Sequence, residues 1–221
     1  MTGSRIGLIF HGIGTPGRAL ERGEERYWIS KDHFTTVLDV LAGDPARYYV
    51  SFDDGNRSDA LIALPQLQAR GLKADFFVLT GRIGQRGSLG PEEIRALDAA
   101  GMGVGSHGIA HIDWKLASDA LLAEELLTSR QALAGLLRRE IGSAAIPFGS
   151  YDGRTLRALR QAGYSEVYSS DGGWMEEPSW PRPRASIRSG MSAAEQARIL
   201  AGDLSIGQRL RRQLSKFTRN F

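Results

Sequence analysis

Short apolar runs alternate with stretches of helical periodicity along most of this 221-residue chain. Between the runs, apolar side chains recur every three or four residues, as they do on one face of a helix. Strands that alternate with helices at this spacing predict βα units and a parallel sheet, so we expect an α/β fold. The predicted strands cover 6–10, 48–50, 73–79, 102–106, 144–146, 165–170 and 185–187.

Local signals mark several helix ends. Ser30 is a predicted N-cap, because a serine hydroxyl can accept a backbone N–H of the first helical turn. Pro91 opens another helix, which Gly101 ends. Pro65 predicts a kink or a break within a helical pattern over 58–70. Further helices are expected over 116–140 and 153–162 and from residue 192 onwards.

Composition narrows the chemistry that the chain can carry. Hydrophobic residues make up 42% of the chain and charged residues 24%, which is typical of a soluble globular protein with one substantial core. There is no cysteine, so a metal ion could be held only by His, Asp or Glu side chains. The histidines are His11, His33, His107 and His111.

The carboxyl-terminal segment is basic and has no acidic residue after Asp203. We therefore divide the chain into one domain over 1–203 and a basic tail over 204–221. The tail could contact an anionic membrane surface, or it could form a solvated terminal helix. No apolar segment approaches the roughly 20 residues of a membrane span, and no signal peptide is recognised. We expect a cytoplasmic protein, peripheral to the inner membrane face if the tail binds lipid, with no nucleic-acid partner.

Two adjacent acids, Asp53 and Asp54, follow the apolar run at 48–50 and precede Gly55. One of them could cap the next helix. The second acid is then unexplained, because a buried carboxylate is costly unless it is paired or bound to a metal. The pair therefore predicts a functional site at the end of this strand.

Other polar motifs also follow strands, namely His11, His107 and the segment 147–149. Active sites of β/α barrels are built from the loops at the carboxyl ends of strands, so this pattern favours a barrel over a doubly wound sheet. Residues 12–17 match the dinucleotide pattern Gly-x-Gly-x-x-Gly, but a polar loop to about residue 29 follows in place of a helix. We interpret this stretch as a flexible loop and expect no nucleotide there.

His107 and His111 are four residues apart and follow a strand end, as Asp53 and Asp54 do. Two imidazoles and one carboxylate are the ligands of a catalytic zinc-type site. The alternative is a hydrogen-bonded histidine pair beside a capping Asp.

Three motifs in this order resemble the signatures of the polysaccharide deacetylase superfamily, carbohydrate esterase family four, also called the NodB-homology domain. They are Ser-Phe-Asp-Asp-Gly at 51–55, Ser-His-x-x-x-His at 106–111 and Pro-Phe-Gly at 147–149. The resemblance extends from the first strand to about Tyr168. It implies a distorted (β/α)7-type barrel and a hydrolase that removes acetyl groups, most often N-acetyl, with the help of a divalent metal.

The resemblance also implies roles for individual residues. Asp54, His107 and His111 would bind the metal, for which Zn²⁺ is favoured over Co²⁺, Mn²⁺ or Fe²⁺. Asp53 would be the catalytic base that acts on a metal-bound water, and the backbone N–H of Phe148 would contribute to the oxyanion hole.

Two departures from the family pattern require substitutes. The Arg that usually precedes the Pro-Phe-Gly proline by two residues is Ala145 here, and no histidine follows His111. Some superfamily members look circularly permuted, with the late strand moved to the amino terminus, so we predict that His11 is the general acid. The alternative is a histidine that only bonds to backbone at the start of the loop. Arg184 is the candidate for the missing Arg.

The expected substrate is an acetylated glycan, glycolipid or sugar precursor. Trp174 and Tyr151 are candidate substrate contacts, although surface packing explains Trp174 equally well. Two other functions stay open: an amidase of the same superfamily that acts on a small cyclic amide or ureide, and a glycan-binding barrel without catalytic activity.

Overall fold

The computed structural model describes residues 4–176 and 178–203, which form eleven strands and six α-helices. The strands are β1 (Arg5–Phe10), β2 (Gly12–Ile13), β3 (Trp28–Ile29), β4 (Tyr48–Phe52), β5 (Asp75–Val78), β6 (Gly103–Ser106), β7 (Ser143–Ala145), β8 (Glu166–Ser169), β9 (Trp174–Met175), β10 (Arg182–Pro183) and β11 (Ala185–Ser186). The helices are α1 (Lys31–Ala42), α2 (Leu64–Ala69), α3 (Pro91–Ala99), α4 (Asp119–Leu137), α5 (Gly153–Gln161) and α6 (Ala193–Leu200).

The main sheet is parallel and nearly closes into a barrel. Its strand order is β10-β8-β7-β6-β5-β4-β1-β11, and only the short β9 runs antiparallel, against β1. Arg184 alone separates β10 from β11, so the segment 182–186 pairs with β8 on one side and with β1 on the other. Counted as one position, this segment completes a ring of seven. The prediction of a distorted (β/α)7-type barrel is confirmed.

Side chains along β4 point alternately to the core outside the barrel and to the barrel interior. Phe52 packs outward, with its ring centroid 5.4 Å from that of Phe10 and 4.7 Å from that of Phe76. Tyr49 belongs instead to a separate buried cluster with Phe77, Ala145, Tyr168 and Met175. Because successive side chains of a strand point to opposite faces, Ser51 and Asp53 follow Tyr49 toward the interior.

Helix ends agree with the local signals at several positions. The Ser30 hydroxyl accepts the backbone N–H of His33 at 3.1 Å, which confirms the predicted N-cap. The pattern over 58–70 is interrupted as Pro65 predicts: a π-helical turn, Asp59–Ala63, precedes α2. The helix predicted over 116–140 is shorter, because Ser118 caps it at the start and Arg138 adopts a left-handed conformation (φ 54°) at its end.

The segment between β1 and α1 is ordered, so its interpretation as a flexible loop is wrong. β2 pairs in parallel with β3, and the N–H of Gly14 donates to Ile29 at 2.8 Å. A Cβ at Gly12 would lie 2.1 Å from the Trp28 ring, so this crossing requires glycine. The formal dinucleotide pattern is thus explained in part by close packing.

The predicted basic tail, 204–221, lies outside the described residues, so the domain division at 203 stays a prediction. Within the part of the chain that the structure covers, no helix combines the length and the apolar character that a membrane crossing needs.

Candidate active site

One pocket opens at the carboxyl ends of the barrel strands. Six of the residues predicted from sequence line it, although they come from four separate parts of the chain. They are His11, Asp53, Asp54, His107, His111 and Phe148.

Asp54 and the two histidines form a cluster that suits a cation. The Nε2 atoms of His107 and His111 each lie 3.5 Å from Oδ1 of Asp54, and the three ligand atoms are all within 4.8 Å of one another. Oδ1 is buried and has no hydrogen-bond partner among the described residues. A buried carboxylate oxygen that faces two imidazole nitrogens without a bond to either fits a shared metal ion.

Both imidazoles are held by their other nitrogen. Nδ1–H of His107 donates to the carbonyl of Ala145, and Nδ1–H of His111 donates to Oε2 of Glu21, each at 2.9 Å. These bonds leave both Nε2 atoms as acceptors, which is the tautomer that a metal ligand needs. Burial, partly offset by the charges of Asp53 and Asp54, lowers the pKa of His107 to about 4, so its ring is neutral at pH 7.

Helix α4 holds the loop between the two histidines in place. The buried carboxylate of Glu125 accepts the backbone N–H groups of Ile109 at 2.7 Å and of Ala110 at 3.1 Å. A Cβ at Gly108 (φ 86°) would lie 2.5 Å from that carboxylate. Trp114 is fully buried, and its ring lies 3.2 Å from the position that a Cβ at Gly108 would take, so it packs against this loop.

Strained backbone is concentrated at this pocket. Asp54 (φ 77°), His111 (φ 54°) and Phe148 (φ 57°) adopt left-handed conformations that residues other than glycine rarely take. Each such residue costs about 1–3 kcal/mol and persists where the surrounding structure enforces it, often at functional sites. The strain therefore supports a functional role for these residues.

Asp53 is paired with Arg184 inside the barrel. The guanidinium donates to both carboxylate oxygens, at 2.8 and 3.0 Å, and to the Ser51 hydroxyl at 2.7 Å. Its flat face lies over the rings of Phe77 and Tyr168, at 5.0 and 5.5 Å from their centroids. Those rings belong to the same cluster as Ala145, so Arg184 reaches the region where the family's Arg would be expected.

The pairing keeps Asp53 ionised. Burial alone would raise the pKa of this carboxyl, but the charge and hydrogen bonds of Arg184, with smaller contributions from His107 and His11, outweigh burial and hold the pKa below its ordinary value. A carboxylate with both oxygens engaged is also fixed in orientation.

His11 and Phe148 occupy the remaining sides of the pocket. Nδ1 of His11 is buried without a hydrogen-bond partner in the described residues, and the ring lies 4.7 Å from that of Tyr27. Phe148 is 55% exposed and its ring lies 4.3 Å from that of His111. The pocket thus presents an imidazole and an aromatic face beside the candidate metal residues.

Comparison with known proteins identifies the family. The profile of the polysaccharide deacetylase family matches residues 42–167, more than half of the chain. The chain belongs to the polysaccharide deacetylase family. Members are metal-dependent carbohydrate esterases that act on N-acetyl bonds, and the ordered motifs predicted this assignment. The circular permutation remains a prediction.

Individual relatives agree with the family assignment. YxkH of Bacillus subtilis (strain 168), named as a polysaccharide deacetylase, is 25% identical over 153 residues, which cover 69% of this chain and 51% of YxkH. This chain therefore spans about half the length of that curated relative. PplD, a deacetylase from Streptococcus pyogenes, is 20% identical, with a TM-score of 0.77 over 90% of this chain and 98% of PplD. A polysaccharide deacetylase from Bacillus cereus is 19% identical, with a TM-score of 0.74 over 90% of this chain and 69% of its own. At these identities the structures show a shared fold.

Two predicted substrate contacts do not line the pocket of this polysaccharide deacetylase. Trp174 pairs with Ile6 near the start of β1, and the guanidinium of Arg47 lies over its ring, so it is at the opposite end of the barrel. The hydroxyl of Tyr151 donates to Asp171 at 2.6 Å, outside the pocket lining. The structure therefore places neither residue in this pocket, and their contact with substrate stays a prediction.

The segment 14–27 supplies a wall that the sequence interpretation missed. Glu21, Arg22, Glu24, Arg26 and Tyr27 all line the pocket. Six of the nine residues from 18 to 26 are charged, and this run begins seven residues after His11. That density of charge was the sequence signal that could have indicated a functional segment here.

Proposed function

We propose that this chain is a metal-dependent deacetylase that releases acetate from an N-acetylated glycan, glycolipid or sugar precursor. The observation that carries the proposal is that two neighbouring acids, Asp53 and Asp54, have different partners. Asp54 faces two imidazole nitrogens, whereas Asp53 is held by Arg184, and His11 lines the same pocket. A metal-binding acid beside a separately oriented acid suits hydrolysis of an amide.

Asp54, His107 and His111 would hold the divalent metal. The donor set of two imidazoles and one carboxylate suits Zn²⁺, and Co²⁺, Mn²⁺ or Fe²⁺ are alternatives. When bound, such an ion polarises a carbonyl and makes a neighbouring water more acidic.

Asp53 would act as the general base. Its carboxylate is ionised and oriented by Arg184, so it can accept a proton from the water that adds to the acetyl carbonyl carbon. The carbonyl oxygen then carries a negative charge, and the backbone N–H of Phe148 would donate to it. One well-placed donor of this kind is typically worth about 3 kcal/mol of transition-state stabilisation.

His11 would act as the general acid. When the carbon–nitrogen bond breaks, the leaving nitrogen must gain a proton, because an amide anion is a very poor leaving group. An imidazolium on the pocket wall can supply that proton, which gives a free amine and acetate as products. The exposed ring of Phe148 and the ring of Tyr27 offer apolar faces for a sugar near this point.

Acetate release tests the proposal. The full chain is incubated with N-acetylated oligosaccharides, acetylated nucleotide sugars and acetylated glycolipids, and acetate and new primary amines are both measured. We expect equal amounts of the two products, loss of activity after chelation, and recovery when Zn²⁺ or Co²⁺ is added back. Opening of a cyclic amide or ureide without acetate release would indicate the amidase function, and glycan binding without any product would indicate an inactive barrel.

A further inference from the structure

Glu21 is tied to a candidate metal ligand from a part of the chain that carries no family motif. Its Oε2 accepts Nδ1–H of His111 at 2.9 Å, and its Oε1 forms an ion pair with Arg82. One carboxylate therefore connects the pocket wall to the loop of His111 and to the turn after β5. No residue with this arrangement follows from the Asp-Asp, His-x-x-x-His or Pro-Phe-Gly motifs.

The two candidate imidazole ligands differ in how firmly they are held. Nδ1–H of His107 donates to a backbone carbonyl of strand β7, and the side chain is only 3% exposed. The side chain of His111 is 12% exposed, and its backbone is in a left-handed conformation. His111 thus depends more on a side-chain partner for the direction of its ring.

Glu21 is itself held in place. Its backbone N–H donates to Oε2 of Glu24 at 2.8 Å, and Glu24 is paired with Arg18. The guanidinium of Arg18 also donates to Asn56, two residues after Asp54, at 3.0 Å. The wall is thereby bonded to both loops that carry candidate metal ligands.

We propose that Glu21 is a positioning residue that fixes the tautomer and the ring direction of His111 for metal binding. The carboxylate accepts the Nδ1 proton, which leaves Nε2 to face Asp54. The inference rests on the proposed metal site, and it gives the wall the role of orienting one of the metal ligands.

Metal affinity tests this assignment without reference to turnover. The Kd for Zn²⁺ is measured by competition with a chromogenic chelator, and the absorption spectrum of the Co²⁺-loaded protein reports the ligand geometry. Glu21→Ala should weaken Zn²⁺ binding by about 10- to 100-fold and change the cobalt spectrum. Glu21→Gln should lose less affinity than Glu21→Ala, because its amide oxygen still accepts the Nδ1 proton. Glu25→Gln, an exposed acid of the same wall, should bind like the wild type.

Thermal unfolding of the metal-free variants controls for a purely structural effect, since a positioning function predicts melting temperatures close to that of the wild type. Wild-type affinity and an unchanged cobalt spectrum in Glu21→Ala would overturn the assignment while leaving the proposed deacetylase intact. Absence of metal binding by the wild type would count against the proposed metal site itself, so the two failures can be told apart.

Discussion

Arg184 donates to both carboxylate oxygens of Asp53, at 2.8 and 3.0 Å, from a position 131 residues further along the chain. Arg184 is also the residue between β10 and β11, so the segment that closes the barrel brings the guanidinium to the candidate base. The same few residues thus close the barrel and orient the carboxylate of Asp53, the candidate base.

Arg184→Lys should lower kcat by roughly 100-fold while metal content stays at the wild-type level. A lysine keeps the charge but cannot make the two parallel hydrogen bonds, so Asp53 loses its fixed orientation. Steady-state kinetics and metal analysis of the same preparation check this. Arg188→Lys is the matched control, because Arg188 pairs with Glu195 on the surface, and it should keep normal turnover. Normal kcat in Arg184→Lys would contradict the positioning of Asp53 by this pair.

The loss of kcat in His11→Asn should depend on the leaving group of the substrate. With an acetamide the variant should lose about 100- to 10,000-fold in kcat, because nothing protonates the departing nitrogen. With an activated aryl acetate, whose phenolate leaves without a proton, the loss should be much smaller. His33→Asn, on helix α1, should behave like the wild type with both substrates. Equal losses of the His11 variant on the two substrates would contradict a general-acid function.

Asp59 predicts a pH-dependent change in stability. Its carboxylate is fully buried in the π-helical turn, and neither oxygen has a hydrogen-bond partner among the described residues. Burial, followed by the charges of Asp54 and Asp53, raises the pKa of this carboxyl well above its ordinary value. The unfolded chain releases this proton above about pH 3.9, whereas the folded chain keeps it up to the raised pKa. Between these two pKa values, this group therefore lowers the free energy of unfolding as the pH rises.

Asp59→Asn should therefore become more stable relative to the wild type as the pH rises from 4 to 8. The gain is about 1.4 kcal/mol for each unit by which the pKa is raised. Thermal unfolding of chelator-treated protein, followed by circular dichroism, measures it, and Asp32→Asn on the exposed start of α1 is the control. A constant difference between Asp59→Asn and the wild type across this range would show that Asp59 is not held protonated.

The sequence was most informative where site residues directly follow strands. His11, Asp53 and His107 each come after an apolar run, and the carboxyl ends of parallel strands meet at one edge of a barrel. Local spacing therefore predicts that these residues converge, without knowledge of strand order. The same reasoning predicts the fold class, because βα alternation is a local pattern.

Local patterns could not predict the features of the site that depend on contacts between distant parts of the chain. Arg184 was only a candidate, because its contact with Asp53 depends on how the barrel closes. Glu21 was missed because His111 is 90 residues away and a polar, glycine-rich segment resembles a loop without function. The position of Trp174 could not be predicted, because β9 has two residues, too few for a periodic signal, and pairs antiparallel with the start of β1.

The central claim is that Asp54 binds the metal and Asp53 acts as the base. Metal content measured together with acetate release tests it most directly. Asp53→Asn should retain stoichiometric metal and lose nearly all turnover, because the water then lacks its base. Asp54→Asn should lose the metal, because it removes the charged ligand between His107 and His111. The reverse pattern, with metal lost from Asp53→Asn and retained by Asp54→Asn, would contradict the account.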